Sequence, residues 1–232
     1  MNCIIASTST LHGSRYLEYL QSPLKKLFEG VEEILFIPYA RPSGISHEEY
    51  TQIAKKGLSF LCENIVGLHE KENPQEAIKN AEAIFTGGGN TFLLVKQLYH
   101  YRVMKSLKQA IESGTPYLGT SAGSNICGQT MQTTNDMPIV YPPSFKTMGI
   151  LPFNINAHYL DPEPDSKHMG ETRETRIKEF HKLNEIPVLG LREGSWLEAK
   201  NKEIFLRGKL SARLIEAEKP AREIESGSKI NL

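Results

Sequence analysis

The chain has 232 residues, 27 Lys+Arg against 27 Asp+Glu for a formal net charge of zero, and 39% hydrophobic residues. That length can bury a substantial core, and it reads as one domain over residues 1–232. The charge balance gives no support to a nucleic-acid face, which needs a basic patch, and no apolar run is long enough to span a bilayer.

The elements alternate from the first residues onward. Met1-Asn-Cys-Ile-Ile-Ala-Ser-Thr lacks the basic start and apolar stretch of a signal peptide and reads as an opening strand, Cys3–Ser7. Tyr16, Leu17, Leu20, Leu24 and Leu27 then recur at helical spacing. Ile34–Ile37 is a second strand stopped by Pro38, and His47 to Leu61 a helix with Tyr50, Ile53, Leu58 and Leu61 toward the core. Ile65–Leu68 is a third strand, Gln75–Ala81 a helix behind Pro74, and Ala83–Thr86 a fourth strand. Helices over Asn90–Leu98 and Met104–Ile111 lead to a fifth strand, Tyr117–Thr120. This alternation predicts a mostly parallel central sheet with helices on both faces, which binds ligands beyond the carboxyl ends of its strands.

The second half is less regular. Thr133–Pro138 reads as a loop into a short strand, Ile139–Tyr141, broken by Pro142-Pro143. Phe153–Ala157 is a strand ending at His158, Leu160–Gly170 a mobile charged loop, and Glu171–Asn184 a helix with Ile177, Phe180 and Leu183 on one side. Val188–Leu191, Ser195–Ala199, Ile204–Leu206 and Arg213–Ala217 read as further strands. Cys3, Cys62 and Cys127 are odd in number and far apart, so a reduced, cytoplasmic protein is expected, with Cys127 a small core residue rather than a second nucleophile.

Gly119-Thr-Ser-Ala-Gly123 is G-x-S-x-G between an expected strand and helix, the context in which a serine is lifted above a sheet edge. Ser121 is therefore the candidate nucleophile, and the backbone N–H of Ala122 lies where it can stabilise an oxyanion. Gly87-Gly-Gly-Asn-Thr91 also opens a helix after a strand but lacks a P-loop or dinucleotide spacing. Its Gly88, Gly89 and Asn90 fit better as donors toward the serine's substrate. A serine needs a base. Among seven histidines, His47, His69, His100 and His181 read as solvated, whereas His158 ends an apolar strand and stands between a catalytic and a structural reading. The chain has only three aspartates, Asp136, Asp161 and Asp165. Asp136 gives the order Ser, Asp, His familiar from α/β hydrolases, or caps its own turn; Glu193, after another strand, is a rival partner for the imidazole. His158, Asp161, Asp165 and His168 lack a compact metal-ligand spacing, so no metal or other cofactor is expected.

Gly87-Gly-Gly-Asn-Thr-Phe92, Ser121-Ala-Gly-x-Asn125, Thr133-Thr-Asn-Asp-Met-Pro-Ile-Val140, Asn156-x-His158, Gly170-Glu-Thr-Arg-Glu174 and Glu193-Gly-x-Trp196 together resemble the peptidase E (α-aspartyl dipeptidase) family of serine peptidases. The resemblance runs from the first strand to about Trp196. It implies a flavodoxin or class I glutamine-amidotransferase-like fold and a metal-free cytoplasmic enzyme, monomer or homodimer, that splits dipeptides, and some short activated substrates, after an N-terminal aspartate. By the same resemblance Ser121 is the nucleophile and His158 the base. Asp136 is the charge-relay carboxylate, with Glu193 also proposed for that role. Arg173 pairs with the substrate aspartate, and Gly89 and Ala122 form the oxyanion hole. Without the resemblance, Arg173 reads as a surface partner of Glu174 or Glu171. Two other readings remain: a cyanophycinase-like β-aspartyl peptidase, and a noncatalytic flavodoxin-like module holding a phosphate or nucleotide.

Overall fold

Five short runs in the first half form strands in a computed structural model, which describes residues 1–162 and 170–232. They are β1 (Asn2–Ala6), β2 (Glu33–Ile37), β3 (Asn64–Gly67), β4 (Ala83–Thr86) and β5 (Tyr117–Thr120). Between them come α1 (Gln21–Leu27), α2 (His47–Leu58), α3 (Pro74–Lys79), α4 (Thr91–His100) and α5 (Met104–Ser113), and after β5 the short α6 (Ala122–Asn125). The second half adds β6 (Asn154–Ala157), α7 (Arg173–Phe180), β7 (Val188–Leu191), β8 (Ser195–Lys200), β9 (Glu203–Gly208), β10 (Ala212–Ile215) and β11 (Arg222–Ile224).

The main sheet has the order β3-β2-β4-β5-β1-β8-β9. Its first five strands are parallel, and β8 and β9 add antiparallel beyond β1. Successive side chains of a strand point to opposite faces. Ile4, Ile34, Phe36 and Phe85 accordingly meet Leu24, Tyr50 and Leu58 of α1 and α2 on one face. Ile5, Leu35, Ile37 and Ile84 meet Leu94, Leu107 and Ile126 on the other. Helices thus cover both faces, as expected.

The second half departs from a single sheet. Strands β6, β7, β10 and β11 form a separate sheet, in the order β11-β10-β7-β6, with only β6 and β7 parallel. Ile139–Tyr141 is not a strand: Pro138, Pro142 and Pro143 remove backbone donors around it, and Ile139 and Tyr141 are exposed. Helix α2 stops at Leu58, its buried stripe being Tyr50, Ala54 and Leu58, so Ile53 is exposed instead of buried. Helix α7 stops at Phe180 and leaves Leu183 exposed, while Ile177 is buried. The expected helix from Tyr16 is a short 3-10 turn, Glu18–Leu20, followed by α1, yet Leu17, Leu20 and Leu24 are all buried. Within the Leu160–Gly170 loop, residues 163–169 lie outside the described residues, Asp165 and His168 among them.

An arginine-centred network fastens the second sheet. Arg192, directly after β7, donates through Nε and Nη2 to both oxygens of Asp161 at 2.7 Å, and through Nη1 to Glu223 Oε2 at 2.8 Å and to the Ser211 carbonyl at 2.9 Å. Arg213 reaches Glu174 of α7 and Glu223. The guanidinium of Arg192, ahead of smaller contributions from Ser211 and Arg213, holds the Glu223 carboxyl down at about 2. A depressed carboxylate stabilises the fold fully above its unfolded value and loses that effect as pH falls through the folded one. Glu223→Gln is therefore expected to lower stability by about 1 kcal/mol at neutral pH, after solvent screening. In urea unfolding measured across pH, the gap from wild type should shrink below about pH 4.5 and close near pH 2. A gap independent of pH would contradict the assignment.

Candidate active site

The nucleophile turn is built by strain and close approach. Ser121 follows β5 with φ 53° and ψ −110°, a conformation an L-residue holds only when its surroundings enforce it, at about 1–3 kcal/mol. Its N–H donates to the Ala6 carbonyl at 3.1 Å, and its own carbonyl accepts from Ser124 and Asn125 at 2.9 Å. Gly123 is needed because a β-carbon there would strike the Thr86 carbonyl. Cys127 is fully buried against this turn, burial pushes its thiol pKa well up, and its Sγ donates to Gly123 O. It is a core residue.

His158 sits just beyond β6, also at positive φ (55°). Its backbone N–H donates to Ser7 Oγ at 2.9 Å, and Ser7 in turn donates to the Leu191 carbonyl at 2.7 Å. The imidazole Nε2 lies 2.9 Å from Ser121 Oγ. Its Nδ1 lies 2.6 Å from Glu193 Oε1. A carboxylate only accepts, so Nδ1 carries the proton and Nε2 faces the serine hydroxyl as acceptor. Both partners are open to solvent, with side chains 38% and 46% exposed, so a substrate must cover them before the pair acts in a low dielectric.

Asp136 is therefore not the partner of the imidazole. Its Oδ2 accepts from Thr91 N–H at 2.7 Å and from Thr134 Oγ1 at 2.9 Å. Thr91 opens α4, where N–H groups have no partner within the helix. The carboxylate is thus spent on the helix end and on joining the 133–137 loop to the glycine run. Asn90 is likewise a structural cap rather than a free donor. Its N–H goes to the Ala40 carbonyl at 2.7 Å, its Oδ1 caps Leu93 N–H at 3.0 Å, and its Nδ2 donates to the Met137 carbonyl at 2.8 Å.

Gly88 and Gly89 do lie against the serine. A β-carbon on Gly88 would stand 3.0 Å from Ser121 Cβ and 3.6 Å from its Oγ, while one on Gly89, at φ 142°, would strike the Ala40 carbonyl. Among the described residues, the N–H groups of Gly88, Gly89 and Ala122 have no partner outside regular helices and strands. Ala122 is the first residue of α6, where the helix leaves such groups free. These donors flank Ser121 in the manner of an oxyanion hole.

Arg173 opens α7 and points back toward this edge. Its Nη1 donates to Asn135 Oδ1 at 2.6 Å, and Asn135 Nδ2 donates to the carbonyl of Ala157, the residue before His158, at 2.7 Å. Burial and the neighbouring Arg176 lower its pKa. The expected surface pairs do not form: Glu174 binds Arg213 and Lys178, and Glu171 lies near Arg176. Among the described residues Arg173 has no carboxylate partner, and no group of three or more metal-ligating side chains comes together. Asp161 belongs to Arg192. Of the histidines expected to be solvated, His69 is mostly buried beside His47 and pairs with Glu48.

Ser7 and Asn135 escaped the sequence reading. Ser7 stands at the carboxyl end of β1, the same position that singled out Ser121 and His158, but serines there are too common to distinguish without the contact itself.

A serine on a strained strand-to-helix turn, in line with an imidazole and a carboxylate at the carboxyl edge of a parallel sheet, places the protein among the α/β serine hydrolases. The particular branch follows from comparison: the chain belongs to peptidase family S51, whose family model matches residues 3–207. It is 42% identical over 231 residues to "Peptidase E" of Streptomyces coelicolor, covering 100% of this chain and 94% of that protein. It is also 42% identical over 226 residues to a Drosophila melanogaster protein named "Probable alpha-aspartyl dipeptidase", covering 96% and 93% respectively. The crystal structure of a peptidase from an acI-B1 Actinobacterium shares the fold, with a TM-score of 0.73 at 17% identity over 100% of this chain and 96% of that one.

Two substitutions separate the carboxylates. Glu193→Gln should lower kcat by about 10²–10⁴-fold with little change in KM, because the imidazolium loses its counter-charge in the transition state. Asp136→Asn should instead cost about 1 kcal/mol of stability, as loss of a helix cap does, with a smaller fall in kcat. The reverse ranking in steady-state kinetics would return the role to Asp136. Ser7→Ala should leave the His158 N–H unpaired, costing about 1–3 kcal/mol in thermal unfolding and lowering kcat more than it raises KM. An unaltered kcat would show that Ser7 does not position the base.

Proposed function

We propose that the protein is a serine dipeptidase that hydrolyses Asp-X dipeptides through an acyl-enzyme. The observation that carries this reading is the line from Ser121 through His158 to Glu193, with Arg173, which has no carboxylate partner among the described residues, held beside it by Asn135. Ser121 Oγ attacks the scissile carbonyl while His158 Nε2 takes its proton and Glu193 steadies the imidazolium. The N–H groups of the Gly88–Gly89 run and of Ala122 meet the developing oxyanion. His158 then returns the proton to the leaving amine, and the same groups direct water onto the ester.

Arg173 grips the aspartate side chain. A guanidinium offers a carboxylate two parallel hydrogen bonds, and a neutral residue at that position would leave the charge unpaired. The name of the Streptomyces relative supports the peptidase reaction, and that of the Drosophila relative supports the aspartyl specificity as well. The substrate is a small peptide, and no metal or other cofactor takes part. Three cysteines outside any disulfide support a cytoplasmic setting, and no helix among the described residues is long and apolar enough to cross a membrane.

The test is hydrolysis of Asp-Leu against Leu-Leu, Glu-Leu and β-Asp-Leu by wild type and Ser121→Ala. Asp-Leu alone should be cleaved, and the variant should lose about 10⁴-fold or more of that rate. Cleavage of β-Asp-Leu without Asp-Leu would move the protein to the isopeptide reading. Folded wild type inert toward all four would sink the peptidase mechanism proposed here.

A further inference from the structure

Arg41 follows Ala40, which packs against Gly89 and whose carbonyl accepts from Asn90 N–H at 2.7 Å. It follows β2, and its guanidinium carbon lies 4.8 Å from the centroid of the Tyr50 ring. Tyr50 is buried, and its hydroxyl donates to the Gly88 carbonyl at 3.0 Å. Gly88 in turn stands against Ser121. The guanidinium thus rests on a rigid aromatic platform, fixed at its far end to the glycine run that flanks the nucleophile. Arg41 is itself exposed and, among the described residues, has no carboxylate partner.

The residues that support the two arginines pack in different layers of the fold. Tyr50 packs in the α1–α2 layer, whereas Ala157 and Ile155, next to the Asn135 that holds Arg173, pack in the layer of α4 and α5. An Asp-X dipeptide carries two carboxylates, one on the aspartate side chain and one at its C-terminus, on opposite sides of the scissile bond. Resting on the dipeptidase reading above, we propose that Arg41 binds the C-terminal carboxylate of the substrate and so restricts cleavage to dipeptides.

The dimensions agree. Strand β2 lies two places from β5 in the sheet, about 10 Å at about 4.8 Å per strand. One residue beyond the scissile carbonyl extends about 3.5 Å, and a guanidinium–carboxylate pair adds about 3 Å. An arginine side chain lying over Tyr50 toward Gly88 covers the remainder. A third residue on the substrate would place a neutral amide against the guanidinium and carry its carboxylate past it.

The experiment compares kcat/KM for Asp-Leu, Asp-Leu-amide and Asp-Leu-Leu in wild type, Arg41→Met and Arg41→Lys. Wild type should prefer Asp-Leu over its amide by about 30-fold or more, the worth of a charge-assisted hydrogen-bonded pair. Arg41→Met should lower kcat/KM for Asp-Leu by about the same factor, mainly through KM, and bring the ratio of acid to amide close to one. Arg41→Lys should fall between them, since an ammonium keeps the charge without the paired geometry. The amide and tripeptide rates report directly whether the variant is folded and competent. An acid-to-amide ratio in Arg41→Met equal to that of wild type overturns the assignment while leaving the dipeptidase reading intact. Wild type that cleaves none of the three overturns both.

Discussion

The carboxyl end of β1 is the anchor on which the rest of the site depends. The Ala6 carbonyl receives the N–H of Ser121 and the hydroxyl of Ser124, the latter at 2.6 Å. One residue later, Ser7 accepts from His158, donates to Leu191, and bonds through its own N–H to the Ser195 carbonyl. Leu191 and Ser195 bracket the turn that carries Glu193. Nucleophile, base and carboxylate therefore come from three distant parts of the chain, yet each is tied to the same dipeptide. A fully buried hydroxyl with two partners has little freedom, and an unmade bond there would carry its whole desolvation cost. This is why Ser121 and His158 hold positive φ values without glycine.

The two sheets divide the labour. The parallel sheet supplies the nucleophile, the glycine run and the helix ends that favour negative charge. The smaller sheet supplies the imidazole from β6 and, beyond β7, the carboxylate. Arg192 joins the turn holding Glu193 to Asp161, Ser211 and Glu223, so the orientation of the carboxylate is set by a charge network it does not itself enter. Asp136 joins the halves from the other side, capping α4 while its neighbour Asn135 positions Arg173.

The parallel half of the fold was legible because each strand there is a short apolar run bounded by a glycine, proline or polar break, with a helix behind it. The location of Ser121, Gly88, Gly89 and His158 followed from one rule, that ligands gather at strand carboxyl ends. The choice between Asp136 and Glu193 was not legible, because local sequence offers both after a turn. What decides it is the antiparallel return of β8 along β1, pairing Ile5 with Leu197, which no local pattern encodes. Asn90 misled for a related reason. A helix-capping asparagine and a substrate-binding one look alike until the Ala40 and Met137 carbonyls are seen to take its N–H groups. The exposure of Tyr141 shows the limit of β-propensity: a β-rich run fenced by prolines has no edge to join.

The distribution of the triad along the chain also bears on biosynthesis. A ribosome releases the strained serine turn and the glycine run well before the turn between β7 and β8 that brings Glu193, and translation proceeds at about 5–20 residues per second. During that interval the nascent chain holds a serine turn and an imidazole without the carboxylate that Nδ1 meets in the finished fold. The line from Ser121 through His158 to Glu193 is complete only when the last antiparallel strands close onto β1, so the site is assembled by completion of the fold itself.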